Sequence, residues 1–221
     1  MLVRLRKFRR AIDGVAAIEF AFIFPALLAM LVGVIEFTHY TTLNRRAEFA
    51  NYMMADYLSR DDNDSMSDEE RVTIQDIWSL VNPHAQQAYN QSSQLKYAVG
   101  LAAADFTPHD PNCRDSYACT FDANVQWTYA GSTDGSVSGS RISCNVSIVS
   151  DSTPPSSSTV PQGMSGRGSL VISHASYVYQ ALFADWFIPT FEKTVTSYAR
   201  TRSGEVLDLE DGGSGYVECS P

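Results

Sequence analysis

The chain has 221 residues, 16 of them Lys or Arg and 25 Asp or Glu, for a formal net charge of −9 at pH 7. The charge is unevenly placed: Arg4, Arg6, Lys7, Arg9 and Arg10 against Asp13 give residues 1–14 a local +4, and subtracting that from −9 leaves −13 on the remainder. So acidic a remainder stays soluble and argues against nucleic acid and anionic lipid headgroups as its partners.

Directly after the basic leader comes an apolar segment with no charged residue from Phe20 to Ile35. As a helix, residues 15–38 would be about 36 Å long at roughly 1.5 Å per residue, enough to span a bilayer. The basic leader holds the N-terminus in the cytoplasm, so the rest of the chain is exported. A removable secretory signal would need a small-residue cleavage site beyond the apolar run. The residues there, Ile35-Glu36-Phe37-Thr38-His39-Tyr40, contain no Ala-x-Ala pattern. A plain signal anchor competes, but it leaves Glu19 unexplained. A carboxylate within a spanning helix costs something like 3 kcal/mol on insertion scales and usually has a functional partner. The bland account of Glu19 is that it snorkels to the inner headgroup layer from near the helix start. Pro25 would cost about 3 kcal/mol inside a soluble helix. A spanning helix tolerates it when neighbours satisfy the freed carbonyl, so a kink is expected there. Glu36, His39 and Tyr40 mark the outer interface, with Tyr40 as an aromatic anchor.

Helical spacing continues past the apolar run through Leu43, Ala47, Ala50, Met54, Tyr57 and Leu58, while Asn44, Arg45, Arg46, Glu48 and Asp56 take other faces. One helix therefore runs from about 15 to 59, with 15–38 transmembrane and 39–59 a stalk; the alternative is an independent amphipathic second half. The acidic stretch 60–70 invites a calcium reading, which fails. An EF-hand loop starting at Asp61 would have Met66 where Gly is needed and Val72 where Glu is needed. A solvated loop fits better, with Ser67 and Glu70 as a capping box. A further helix over 68–81 would bury Val72, Ile74, Ile77, Trp78 and Val81 and stop at Asn82 before Pro83. Beyond it, 94–106, 121–130, 141–149 and 169–183 carry β-branched and aromatic runs, and 194–201 also reads as extended. Segments 131–140 and 150–166 are Gly-, Ser- and Pro-rich, which predicts flexible surface loops. The fold class is α+β: a long N-terminal helix followed by a small antiparallel β-sheet head, residues 60–221, with one further helix.

Four cysteines, Cys113, Cys119, Cys144 and Cys219, lie wholly beyond the apolar segment, as an oxidising compartment permits. Three pairings are possible. The favoured one joins Cys113 to Cys119, which bracket a short polar loop, and Cys144 to Cys219, which would staple the acidic tail to the sheet. A zinc site is the weaker reading, since there is no C-x-x-C and the His residues are scattered. No G-x-S-x-G, H-E-x-x-H, P-loop or Gly-rich dinucleotide turn is present. His109, between two prolines, and His174, in an alternating strand, read as structural. Asp61, Asp62 and Asp64 could pair as carboxylates, but a mobile loop rarely holds the geometry acid–base catalysis needs. No catalytic residue, metal or cofactor is expected.

Gly14 followed by Val15-Ala16-Ala17-Ile18-Glu19-Phe20 resembles the type III signal of type IV pilins, which a prepilin peptidase cuts just after the Gly. The longer run GVAAIEFAFIFPALLAMLVGVIEF is similar to the N-terminal helix of the TadE-like pseudopilins, minor pilins of the Tad (Flp, type IVc) pilus system. There a G-x-x-A-(I/V)-E-F-A core precedes a Pro and a second Glu, here Pro25 and Glu36. Near the other end, 176–183 (SYVYQALF) resembles the family's V-x-Y-x-Y-x-P-L-F segment, and Tyr198-Ala199-Arg200-Thr201-Arg202 its Arg-rich ending. Two departures stand out: Ala181 occupies the usual Pro position, and Ala199 and Thr201 surround Arg200 in place of a compact Arg-Pro-Arg. The resemblance implies cleavage between Gly14 and Val15. It also implies a registry role for Glu19, paired with the new N-terminal amine of a neighbouring subunit. The implied partners are the prepilin peptidase, other Tad pseudopilins, the major pilin, the inner-membrane assembly platform and membrane lipid, with no nucleic acid. The implied location is the bacterial inner membrane, single-pass, with a cytoplasmic N-terminus, a periplasmic head and passage into the extracellular pilus. A membrane-anchored binding module and an anchored envelope enzyme are the alternatives.

Overall fold

A computed structural model of the protein describes residues 13–60, 97–113, 119–132, 141–183, 187–202 and 215–219. It divides into two compact units, one of Met1–Thr42 with Gln180–Pro189 and one of Leu43–Tyr179 with Thr190–Pro221. A single helix, α1 (Asp13–Ser59), supplies residues to both.

In the first unit the apolar part of α1 faces outward: Phe22 is 80% exposed and Ile18, Phe20, Leu27, Met30, Val34 and Phe37 are exposed too. An exposed apolar surface of this extent calls for a cover, lipid or neighbouring helices. The helix is long and apolar enough to cross a membrane, by length and composition. It continues on both sides of Pro25. At the polar end of the run, the Thr38 and Thr42 hydroxyls donate to the carbonyls of Val34 (2.8 Å) and Thr38 (2.7 Å), so neither needs water for that bond.

In the second unit the rest of α1 buries Ala47, Ala50, Met54, Ala55 and Leu58. The stripe is mostly alanine, which lets the helix backbone lie close to a sheet. That sheet has five antiparallel strands in the order β6-β5-β1-β2-β7, from β1 (Tyr97–Pro108), β2 (Phe121–Ser132), β5 (Ser169–Tyr179), β6 (Phe191–Arg200) and β7 (Tyr216–Glu218). A bulge sets Ala103 opposite Trp127 but Ala104 opposite Val125. Alternation along the strands sorts residues to two faces. Leu101, Ala103, Trp127, Tyr129, Val171 and Ala175 cluster with α1. Ala102, Ala104, Phe106, Phe121, Leu170 and Ile172 form a second cluster with Ile142 and Val160. The sheet is thus covered on both faces, which is why β5 is buried almost throughout.

The second cover corrects one expectation. The segment 150–166 was expected to be a flexible loop, but it contains β4 (Thr159–Pro161) and a 3₁₀ turn (Gln162–Met164), and Val160 is fully buried. β4 pairs parallel with β3 (Ser147–Val149). The predicted strand over 141–149 shrinks to β3, because Ile142 turns into the core while Ser143 donates its N–H to Ser157 across the lobe at 2.9 Å. The strand expected to reach Phe183 ends at Tyr179. The strand β7 in the acidic tail was not anticipated; Gly215, with φ of 105°, begins it and passes close to Ala130. Asn51 and Ala55 are buried where Tyr57 was expected, and Tyr57 is 37% exposed. The helix over 68–81, its Ser67 and Glu70 cap, Asp61, Asp62 and Asp64, and residues 133–140 of the predicted loop at 131–140 lie outside the described residues. The disulfides are Cys113–Cys119 and Cys144–Cys219, with Cα separations of 5.8 and 5.5 Å. This is the pairing expected, and the second bridge ties β7's end to the lobe.

Candidate assembly and anchoring site

Gly14 and Val15 lie in the first turn of α1. Glu19 follows one turn after Val15, so the two positions share a helix face, and the Glu19 side chain is exposed amid apolar surface. No other charged residue shares the segment until Glu36.

Glu36 behaves differently: it is only 4% exposed although Ile35 and Phe37 on either side are exposed. Its Oε2 accepts the backbone N–H of Leu182 at 3.2 Å and its Oε1 the N–H of Phe183 at 2.5 Å. The connection between β5 and β6 leaves the sheet after Tyr179, so its amides lose their ladder partners. A carboxylate receiving two adjacent amides forms charge-assisted bonds and offsets its own desolvation. Ala181, next in line, is buried, whereas Leu182, Phe183 and Phe187 are 53%, 60% and 69% exposed. The second Glu of the N-terminal pattern and the SYVYQALF segment, distant in sequence, therefore meet. In the sequence Glu36 is an interface marker and the second Glu of the N-terminal pattern, with no contact partner assigned. The signal that could have found its partner is the apolar composition of 181–183, ill suited to an isolated surface loop.

The Arg-rich ending is structural in the second unit. Arg200 donates to the carbonyls of Met164 (3.2 Å) and Ser165 (2.9 Å). Arg202 donates its N–H to the Ser59 carbonyl at 3.1 Å, satisfying an orphan group at the end of α1, and its guanidinium is 3.7 Å from Asp56. A cleft of about 720 Å³ beside Arg200, Arg167 and Gln162 looks cationic. Both arginines there already bond to carbonyls, Arg167 to that of Cys113 at 3.3 Å.

Asn51 is a fully buried polar residue of α1. Its Nδ2 donates to the Ser173 carbonyl (3.0 Å) and Ser197 Oγ (3.0 Å), and its Oδ1 accepts from Ser173 Oγ (2.6 Å). The network joins α1 to β5 and β6 within the second unit. His174 Nδ1 lies 2.8 Å from Thr196 Oγ1, and burial lowers its pKa below 6.5 despite the nearby Glu192 carboxylate. Burial pushes the Tyr198 hydroxyl up to about 12; it donates to the Thr159 carbonyl at 3.0 Å. His109 is exposed, 3.2 Å from Asp122. Among the described residues no group of three or more His, Cys, Asp or Glu is arranged to hold a metal ion.

The family model described as TadE-like protein matches residues 14–55. This N-terminal segment is similar to that family. The match covers Gly14, Glu19, Pro25 and Glu36 and ends within the α1 stripe that packs on the sheet, so it links this segment to Tad pilus-related proteins. No curated protein and no solved structure gives a significant match to the chain. The TadE-like match stops well short of the strands, and residues 97–219 rest on their own geometry.

Proposed function

We propose that the chain is a minor pseudopilin of a Tad (Flp) pilus or related secretion filament, cut after Gly14 by a prepilin peptidase. Residues 15–38 hold it in the inner membrane, N-terminus inward, until it enters the filament with the other pseudopilins and the major pilin at the assembly platform. It carries out no chemistry of its own. Cleavage turns Val15 into a free ammonium at the edge of the apolar segment. Packed into a bundle, that ammonium and an exposed Glu19 on the adjoining subunit neutralise one another, and each would be costly to bury alone. Matching a single charge pair fixes the axial offset between helices, while Pro25 lets α1 bend as it leaves the bilayer.

The observation that carries this reading is Glu19, exposed and alone among apolar side chains, one turn beyond Val15. Glu19→Ala should leave membrane insertion and processing intact while strongly reducing the number of filaments seen by electron microscopy. Unchanged piliation would contradict the registry role. A bulkier residue at Gly14 should block processing, and appearance of that uncleaved chain in filaments would contradict the cleavage step.

A further inference from the structure

We propose that Leu182, Phe183 and Phe187 form an apolar lip that inserts into the interfacial layer of the bilayer on the exported side, a second lipid contact besides α1. The inference rests on the reading of α1 as membrane-spanning and deepens it.

Depth is the first argument. From Asp13, at the end of the basic leader, to Glu36 the helix rises roughly 34 Å at 1.5 Å per residue, against a hydrocarbon core of about 30 Å. With the leader held on the inner side, Glu36 comes to the outer headgroup boundary. The amides of Leu182 and Phe183 are bonded directly to its carboxylate, so the backbone at these two residues is pinned at that level. Surface is the second argument. Leu182, Phe183 and Phe187 are all more than half exposed, and Val34 and Phe37, flanking Glu36 on α1, are 58% and 68% exposed. The lip thus continues the apolar surface of the helix within one compact unit. Aromatic side chains at this depth are at home in the interfacial belt. Charge selects the mode of contact. The chain beyond residue 14 carries −13, which repels anionic headgroups, so the lip must bind by apolar insertion and its contact should not weaken in high salt. Glu36 has a role in this arrangement: it lets an irregular backbone sit at the membrane boundary with its amides satisfied, which lipid does not do.

The test uses the full chain in vesicles of phosphatidylethanolamine and phosphatidylglycerol, with an environment-sensitive fluorophore on a single added thiol. All four native cysteines are in disulfides, so the added thiol is unique. The sites are Leu182→Cys, Phe187→Cys, Leu28→Cys in the apolar run and Ser152→Cys on the sheet-bearing unit. Nitroxide lipids labelled just below the headgroup should remove more than half of the emission from the probes at 182 and 187, and nitroxides deep in the chains should remove less. The probe at 28 should show the reverse order, and that at 152 should respond to aqueous iodide alone. High salt should weaken none of the lipid quenching, and adding Phe183→Asp should abolish it at 182. If the probes at 182 and 187 respond to iodide and not to lipid while that at 28 is lipid-quenched, the lip proposal falls and the span stands. Shielding of 182 and 187 only in assembled filaments would also overturn it, assigning the lip to a neighbouring subunit. If the probe at 28 escapes lipid quenching too, both readings fail together.

Discussion

Two carboxylates of the apolar part of α1 have opposite environments: Glu19 is exposed among apolar side chains, and Glu36 is buried and accepts two backbone amides. Glu19 stood out because the cost of a charge depends on its neighbours along the chain, all apolar. Glu36 was legible as a charge but not as a contact, because its partners are 146 and 147 residues away and are backbone amides, which every residue carries. Asn51 was invisible for a similar reason: among the polar residues of an amphipathic helix, nothing local tells the buried one from the exposed ones. Glu36→Ala leaves two amides without that acceptor, at a cost of about 1–3 kcal/mol. The expected result is faster hydrogen exchange at Leu182 and Phe183, with exchange in β5 unchanged; unaltered protection would refute Glu36 as the acceptor of these amides. His174 gives a pH prediction. Its folded-state pKa lies below 6.5, so as pH falls through 6.5 the unfolded chain takes up the proton first and stability drops until the folded-state pKa is reached. Chemical denaturation from pH 7.5 downward should show that loss in the native chain and a smaller one in His174→Gln; equal slopes would contradict the assignment.

At the scale of elements, regular periodicity was readable and irregular cover was not. The helix from about 15 to 59 and the strands β1, β2, β5 and β6 follow from runs long enough to carry a pattern. Residues 150–166 did not, because their Ser and Pro content is that of a loop, while one side chain among them, Val160, joins Ile142 in covering the second face of the sheet. β7 is three residues long, too short for a pattern, and is held by the Cys219 N–H to the Gln126 carbonyl at 2.9 Å and by the bridge to Cys144. The two disulfides should differ in worth. Closing a loop across a separation of 75 residues removes more unfolded-state freedom than closing one across 6. On chain-entropy grounds the long bridge contributes about 4 kcal/mol and the short one about 2. Cys144→Ser with Cys219→Ser should therefore lower the denaturation midpoint of the detergent-solubilised chain roughly twice as much as Cys113→Ser with Cys119→Ser. Equal losses would mean that β7 is secured by other contacts.

Across the whole molecule, charge and hydropathy are partitioned by position: a leader of +4, an apolar run, and −13 on the residues that follow the leader. Under the positive-inside rule that order is the one expected of the proposed orientation, N-terminus inward. The described sheet has an apolar face on each side, one covered by α1 and the other by the lobe of β3 and β4, so the second unit has a core of its own. Gly14, Glu19, Pro25 and Glu36, the residues on which the TadE-like resemblance mainly rests, all lie in the first 36 residues and within the matched segment, whereas the details of the head carry no such local pattern. The most direct test of the processed-pseudopilin reading is the N-terminal sequence of the chain purified from envelopes of cells that make such filaments. A mature chain beginning Val15-Ala16-Ala17-Ile18-Glu19 is the result predicted. A chain still beginning at Met1, with its five basic residues in place, would contradict it.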